Sequence, residues 1–432
     1  MTATGTFETG VNAAEVHGAR RDEAAASGTT VITGIGVVAP NGLGVADYWA
    51  ATLEGRSGIG RITRFDPARY PVRLAGEISG FVPADHLPGR LIPQTDHMTR
   101  LALVAADEAL CDAGLRQDAQ PEYGVGVVTA AGAGGFEFGH RELEKLWRDG
   151  PEHVSAYQSF AWFYAVNTGQ ISIRHGFRGP SGVLVSDQAG GLDAIAQARR
   201  HVRGGLPAVV TGAVDGSLCP WGWVAQVSTG QLSRATDPAS AYRPFDADAS
   251  GFVPGEGGAI LIAEDAAAAA ARGARVHGRV LGYAATFDRR PRPGAPTSPF
   301  GLRRAIELAL ADAGRAPGDI DVIFADGAGV PDLDRAEAQA LAAVFGPRSV
   351  PVCVPKTMTG RLCAGAGPLD VAAALLSIRD GLVPPAVHVR PDPGHRLDLV
   401  TGEPRPLRVR NALVVARGAR GFNSAIVVGA PA

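Results

Sequence analysis

Cysteine is scarce in this chain, which has only four in 432 residues: Cys111, Cys219, Cys353 and Cys363. None has the spacing of a metal-ligand pair, and so few thiols argue against a disulfide-stapled secreted protein and for a reducing compartment. Net charge is almost absent as well, because 41 basic residues balance 43 acidic ones. This balance gives no reason to expect a nucleic acid or an anionic membrane as a partner.

Long apolar runs are missing too, most clearly in the first part of the chain. Residues 1–28 consist of Ala, Thr, Gly and scattered charges, which fits neither a secretory signal peptide nor a membrane-spanning helix. We expect a disordered leader at 1–28 and a cytoplasmic protein. The overall composition, 46% apolar and 19% charged, is ordinary for a globular protein.

The chain does contain an alternation of apolar strands and amphipathic helices that is repeated. A strand over 29–38 and a helix over 99–113 belong to the first round, and a strand over 277–283 and a helix over 302–313 to the second. Alternating elements of this kind indicate parallel sheets covered by helices. The pattern predicts an α/β protein of two similar halves, 29–265 and 266–432.

One glycine pair, Gly34-x-Gly36, suggests a dinucleotide-binding oxidoreductase. The third glycine of that fingerprint is missing at the required spacing. In addition, Pro40-Asn41-Gly42 interrupts the helix that would receive the pyrophosphate. We therefore disfavour this interpretation and expect no cofactor and no metal.

Four segments carry a more specific signal through their order and spacing: 31–40, 243–246 with 251–257, 325–337 and 356–367. Together they resemble the ketosynthases of the thiolase-like, acyl-condensing family. The resemblance extends over nearly the whole chain after residue 28. It implies the thiolase fold, in which duplicated α/β halves with mixed sheets stack in a five-layer α-β-α-β-α arrangement.

The same resemblance shows that all three catalytic side chains of a ketosynthase are replaced. The family places a nucleophilic Cys on a strand-to-helix elbow, where the helix N-terminus lowers its pKa. This position is Gln188 here, the first catalytic His is Asp326 and the second is Arg361. Because a carboxamide cannot attack a thioester, we expect no acyl-enzyme and no condensation by this chain alone.

Other residues of these loops do not restore a catalytic site. Lys356, Asp334 and Glu337 match the family, and we interpret them as organisers of loop structure, as buried ion pairs often are. Cys363 lies two residues beyond Arg361, but the loop has no His to activate it. We therefore do not assign it as a relocated nucleophile.

Gln188 leaves one enzymatic alternative. Some ketosynthase-like domains with Gln in place of Cys decarboxylate malonyl groups on the acyl carrier protein, and they keep both histidines to stabilise the enolate. Here Asp326 would add negative charge beside that enolate, and Arg361 has the wrong donor geometry. Malonyl decarboxylation through Gln188 is thus the second hypothesis, behind a non-catalytic subunit.

Two aromatic-rich segments, 134–147 and 157–173, resemble the chain length factors of bacterial aromatic polyketide synthases. This resemblance implies a heterodimer with a Cys-containing ketosynthase alpha subunit, and an acyl carrier protein as the second partner. It also implies that these segments border the dimer seam, where aromatic residues are favoured.

The resemblance further implies a set of residues that control product length. Phe136, Gly139 and Leu143 match the tunnel-end positions of chain length factors, and their spacings of three and four put them on one face of a helix. Glycine costs a helix up to about 1 kcal/mol relative to Ala, so a position facing a cavity best explains Gly139. We expect a deeper tunnel and a longer product than in relatives with bulkier residues there.

Overall fold

The computed structural model of this chain describes residues 28–289 and 296–432. The leader expected at 1–28 lies outside the described residues, apart from Gly28. The main sheet has 12 strands, of which Gly42–Leu43 and Asp398–Leu399 are two residues long. The others are β1 Thr30–Ala39, β2 Val125–Ala130, β3 Ser181–Leu184, β4 Ala208–Asp215, β5 Gly257–Asp265, β6 Gly278–Phe287, β7 Val322–Phe324, β8 Pro351–Cys353, β9 Asn411–Arg417 and β10 Phe422–Gly429.

The helices surround this sheet and separate its halves. In the described ranges they are α1 Val45–Leu53, α2 His97–Ala113, α3 Phe136–Asp149, α4 Gln158–Ala161, α5 Val166–His175, α6 Gly190–Arg203, α7 Pro220–Val227, α8 Pro238–Ala241, α9 Ala266–Ala271, α10 Phe300–Ala313, α11 Pro331–Phe345 and α12 Ala366–Asp380. Two short ribbons lie apart from the main sheet, Ile59–Arg61 with Leu74–Gly76 and Leu382–Val383 with Arg405–Pro406. Among the described residues, no helix combines the length and apolarity needed to cross a membrane.

The strand order shows that the chain is duplicated. The first half has the order β1-β5-β4-β2-β3 and the second half β6-β10-β9-β7-β8, so corresponding strands occupy corresponding places. In each half the first two pairings are antiparallel and the last two parallel. Among the described strands, the two half-sheets pair with each other where Val31 and Ile32 of β1 lie opposite Arg279 and Gly278 of β6. The expected mixed sheets are confirmed, joined edge to edge at this seam.

Burial shows the five layers expected from the resemblance. Helix α12 is buried along nearly its whole length, from Ala366 to Ser377, as a helix between two sheets must be. It packs with α6 in a core that includes both half-sheets. Helix α2 covers the outer face of the first half, and α10 and α11 cover that of the second. The predicted boundary after residue 265, the last of β5, stays a prediction.

The glycine pair of β1 has a packing role. A Cβ atom on Gly34 would lie 2.1 Å from the carbonyl oxygen of Ala109, and one on Gly36 would lie 1.9 Å from that of Ala105. Both carbonyls belong to α2, so the glycines allow this helix to lie directly on the strand. Close helix packing therefore explains Gly34-x-Gly36 without a nucleotide.

Candidate functional site

The elbow that carries Gln188 lies between β3 and α6. Asp187 adopts a left-handed conformation, with φ at 52°, and the 3-10 turn Asp187–Ala189 continues directly into α6. The Asp187 carboxylate stabilises this turn by accepting a hydrogen bond from the backbone N–H of Ala419. Strand β3 accordingly ends at Leu184, because the chain has to turn sharply here.

Gln188 is buried at the start of this helix. Its side chain is 8% exposed, and its Oε1 atom accepts no hydrogen bond from any described residue. A helix N-terminus would stabilise a thiolate at this position. A carboxamide has no nucleophilic atom to stabilise, so the elbow keeps the shape of a nucleophile site without its chemistry.

Asp326 and Arg361, which replace the two catalytic histidines, form one buried ion pair. Their Oδ1 and Nη2 atoms are 2.9 Å apart, and the residues are only 2% and 4% exposed. Asp326 Oδ1 also accepts a hydrogen bond of 3.0 Å from the backbone N–H of Arg417. The guanidinium lies 5.3 Å from the ring centre of Phe252, which is within cation–π range.

This pairing changes the meaning of the two substitutions. Burial disfavours the charge of Arg361, but the Asp326 carboxylate more than offsets it and raises the pKa of Arg361 above its usual value. The arginine therefore stays charged and cannot exchange protons with a substrate. From the sequence, each substitution was only a lost histidine; the structure shows that they compensate each other.

Two further carboxylates of the second half hold the loop at 325–330. Glu337 accepts hydrogen bonds from the backbone N–H groups of Asp326, at 2.7 Å, and Gly327, at 2.9 Å. Asp334 accepts bonds of 2.9 Å from the N–H groups of Gly329 and Phe245. Burial raises the pKa of both carboxyls to about 7. These contacts support the interpretation of Asp334 and Glu337 as organisers of loop structure.

Lys356 has a similar structural role. Its Nζ atom donates to the carbonyl oxygen of Ala325 at 2.8 Å and forms a buried ion pair with Asp370. All three residues lie inside the protein. The lysine therefore ties the loop at 355–358 to the end of β7 and to α12.

Cys363 has none of the surroundings of a reactive thiol. It is buried, and its contact in the described part of the chain is the side-chain amide of Gln226, with Nε2 3.5 Å from the sulfur. Burial and the nearby Asp215 carboxylate raise the pKa of the Cys363 thiol well above its usual value. A thiol that stays protonated is a poor nucleophile.

Phe136, Gly139 and Leu143 all lie on α3, as their spacing predicted. Phe136 is the first residue of the helix, Gly139 is buried one turn later, and Leu143 is 36% exposed. The ring of Phe136 stacks on Trp221, with 4.4 Å between ring centres. The three positions therefore lie on one face of helix α3.

Two tryptophans beside this face were not identified as site residues from the sequence. A Cβ atom on Gly139 would lie 3.4 Å from Trp221 and 3.5 Å from Trp162. The space over Gly139 is thus filled by indole rings in this chain, and does not form the open cavity that the glycine suggested. Trp162 lies within the aromatic-rich segment 157–173. Trp221 comes from α7, far along the sequence, and no local signal links it to α3.

A large aromatic surface lies next to this helix. Its members are 38–56% exposed: Tyr157, Phe160, Trp162, Phe163, Tyr164 and Trp221. A groove of about 690 Å³ continues from Phe160 and Phe163 along α5 to Ile173, which is also exposed. Strand β3 forms the outer edge of the first half-sheet, paired with β2 alone among the described strands. An apolar face beside an open sheet edge is typical of an interface with another chain.

Comparison with protein families identifies both halves. Residues 29–268 match the family described as "Beta-ketoacyl synthase, N-terminal domain", and residues 277–390 match "Beta-ketoacyl synthase, C-terminal domain". The "Tetracenomycin polyketide synthase ketoacyl synthase beta subunit" of Streptomyces glaucescens is 65% identical over 401 residues. That alignment covers 92% of this chain and 97% of the relative.

Solved structures agree with these matches. "The ishigamide ketosynthase/chain length factor" superposes with a TM-score of 0.86 at 29% identity, covering 94% of this chain and 99% of that one. A second structure contains a type II polyketide acyl carrier protein "in complex with its ketosynthase bound to the hexaketide". One chain of that structure superposes with a TM-score of 0.84 at 26% identity. There the coverage is 93% and 99%. The resemblance found in the sequence and the thiolase-like fold that it implied are confirmed.

Proposed function

Since this chain belongs to the beta-ketoacyl synthase family, we propose that its role is that of a chain length factor. It is the non-catalytic subunit of an aromatic polyketide synthase, pairs with a Cys-containing ketosynthase alpha subunit, and shapes the tunnel in which the polyketide grows. The observation that carries this proposal is the altered catalytic centre, where Gln188 occupies the elbow and Asp326 pairs with Arg361.

The surface of the chain supports the partnership. The exposed aromatic face, the groove along α5 and the free edge of β3 lie in the half that precedes residue 265. Burial of these side chains against a partner would remove a large apolar area from water, as in obligate dimers. A ketosynthase with its own Cys and His residues supplies the chemistry, and the acyl carrier protein delivers malonyl units and the growing chain.

Helix α3, which we name the gate helix, carries the residues proposed to limit the product. Phe136 stacks on Trp221, and Gly139 lies against Trp221 and Trp162, which supports a tunnel end formed by residues of three separate segments. Product length then depends on how much room these five residues leave.

The experiment is co-expression with the matching ketosynthase, followed by incubation with malonyl-loaded acyl carrier protein. We expect a 1:1 complex that makes polyketide of defined length, and no product from this chain alone. Intact mass of the incubated chain should show no acyl adduct. A stable monomer that does not bind the ketosynthase would overturn the proposal.

Malonyl decarboxylation through Gln188 is the competing function, and the same reagents test it. Acetyl-loaded carrier protein formed by this chain alone would establish it. The ion pair at the histidine positions argues against it, because Arg361 is engaged by Asp326 and no histidine remains at either position to stabilise the enolate.

The working compartment is part of the proposal. We place the protein in the cytoplasm, because a chain of 432 residues with only four cysteines fits a reducing compartment. The four cysteines are free thiols in the structure, as a reducing compartment would keep them.

A further inference from the structure

The gate helix has no side-chain cap of its own. The residue before it is Gly135, which offers no side chain to the first turn, so the N–H groups of that turn need acceptors from elsewhere. The backbone N–H of Phe138, the third residue of the helix, finds one in the carboxylate of Asp96, at 2.7 Å. Asp96 lies 42 positions earlier in the chain.

Asp96 also begins another helix. It is the N-cap of α2, where its second carboxylate oxygen accepts the N–H of Met98 at 2.8 Å. One buried carboxylate, 2% exposed, therefore joins the first turns of two helices. Both helix dipoles point their positive ends at it, which favours the ionised form despite burial. Burial and the charge of Glu137 nevertheless raise the pKa of Asp96 to about 6.

The neighbours of Phe138 are held by other parts of the fold. Phe136 stacks on Trp221 of α7, and Glu137 lies 3.7 Å from Arg64. Arg64 in turn forms a two-pronged ion pair with buried Glu256, at 2.6 and 2.7 Å. Three successive residues at the start of the gate helix are thus each fixed by a different element. Among these contacts, that of Asp96 acts directly on the helix backbone.

We propose that Asp96 is a positioning residue for chain-length control, which sets the place of the gate helix by capping it from α2. This inference rests on the proposed function of the gate helix. Asp96 touches none of Phe136, Gly139 and Leu143 through its hydrogen bonds, and acts on them by fixing the turn from which they project. When that bond is lost, the first turn frays and the tunnel end no longer has one defined depth.

The test is the variant Asp96→Ser in the complex with the ketosynthase. A serine hydroxyl still caps α2 at Met98, but it is too short to reach Phe138 as well. We expect the complex to form and to turn over malonyl units, with the share of its main product reduced about twofold or more in favour of neighbouring lengths. Hydrogen exchange of the segment 136–142 should accelerate, while that of α2 stays protected.

Asp265→Ser is the matched control. Asp265 caps α9 through the N–H groups of Ala267 and Ala268, at 3.0 and 3.1 Å, and makes no contact with the gate helix. This variant should leave product length unchanged. If both variants broaden the products equally, the effect is a general loss of stability and the inference is overturned.

A second pair of variants separates this inference from the proposed function. Asp96→Asn keeps the shape of the side chain but can accept only one of the two N–H groups, and it replaces the serine variant if that one does not fold. Gly139→Thr with Leu143→Phe changes the gate itself. Should the double variant alter product length and neither Asp96 variant do so, Asp96 is not a positioning residue although the gate helix is the gate. Unchanged product length in the Asp96 variants and in the double variant would overturn both the positioning role of Asp96 and the proposed role of the gate helix.

Discussion

At the scale of single residues, the altered catalytic centre contains a compensated pair of substitutions. Asp326 and Arg361 stand at the two histidine positions and neutralise each other's charge inside the protein. An isolated buried charge costs several kcal/mol, so either substitution alone would have been strongly destabilising. The pair explains how the fold tolerates the loss of both histidines.

Removing one partner should therefore destabilise the chain. We expect Asp326→Asn to lower the free energy of unfolding by about 3–5 kcal/mol, because Arg361 is left buried without a counter-charge. Urea unfolding measures this. Asp118→Asn, which breaks the exposed pair of Asp118 with Arg116, is the control and should have a far smaller effect on the free energy of unfolding. Equal effects of the two changes would contradict a buried, mutually dependent pair.

Restoring the nucleophile alone should not restore catalysis. In Gln188→Cys the new thiol would sit at the N-terminus of α6, where alkylation by iodoacetamide is expected. Condensation of malonyl units should stay absent, since Asp326 and Arg361 still replace the groups that handle the malonyl carboxylate. Polyketide or ketide product from the variant without a ketosynthase partner would show that this assignment is wrong.

At the scale of elements, the gate helix acquires its neighbours from distant parts of the chain. Trp221 reaches it from α7, Asp96 from α2 and Arg64 from the loop after the Ile59–Arg61 strand. The helix is amphipathic and half exposed, so its own sequence does not fix where it lies. Tertiary contacts decide the depth of the tunnel end that it forms.

Bulkier residues on the gate helix should shorten the product. In Gly139→Thr with Leu143→Phe, the threonine adds atoms beyond a Cβ position that already lies 3.4 Å from Trp221 and 3.5 Å from Trp162, so less room is left beside the two rings. We expect a main product shorter by about two ketide units, with synthesis retained, because only the tunnel end is filled. Mass spectrometry of the products of the complex provides the measurement.

The control for this double variant is Glu144→Gln on the same helix. Glu144 is exposed and pairs with His140, away from the two tryptophans. Product length should stay as in the unchanged complex. If the control shortens the product and the double variant does not, the gate lies elsewhere.

At the scale of the whole molecule, buried carboxyl groups give stability a defined pH dependence. Burial raises the pKa of Asp334 and Glu337 to about 7, so their contribution is complete below their unfolded value of about 4 and is lost as pH rises through 7. Glu256 makes stability depend on pH in the opposite direction. Burial opposes its charge, but the neighbouring His97 and Arg64 prevail and lower its pKa to about 2. That contribution is present above about pH 4.5 and is lost as pH falls through 2.

The directions of these pKa shifts predict that the free energy of unfolding is largest in acidic solution. Urea unfolding at about pH 4, between the cited pKa values of about 2 and about 7, should give a larger free energy of unfolding than at about pH 8, because both raised carboxyls lose their contribution between about pH 4 and 7. The variant Glu337→Gln should flatten the decline between about pH 4 and 7, since a glutamine cannot ionise. A stability that rises steadily toward pH 8 would contradict the burial of these groups in a neutral form.

Much of this molecule follows from local sequence. The two rounds of strands and helices, the thiolase-like segments and the loss of the nucleophile at Gln188 were all predicted, because each depends on residues close together in the chain. The helical spacing of Phe136, Gly139 and Leu143 was predicted for the same reason. Local periodicity and family motifs carry that information.

The contacts between segments were decided only by the tertiary structure. Asp326 and Arg361 are 35 positions apart, and nothing in the sequence around either residue indicates that the two form an ion pair. The glycine of the gate helix suggested open space, whereas two indole rings from other elements fill it. The carboxylate of Asp96 caps α2, and only the packing of the fold places the first turn of the gate helix on the same carboxylate. Such pairings depend on how helices and sheets pack in three dimensions, and the energy of each contact exists only once that packing brings its partners together.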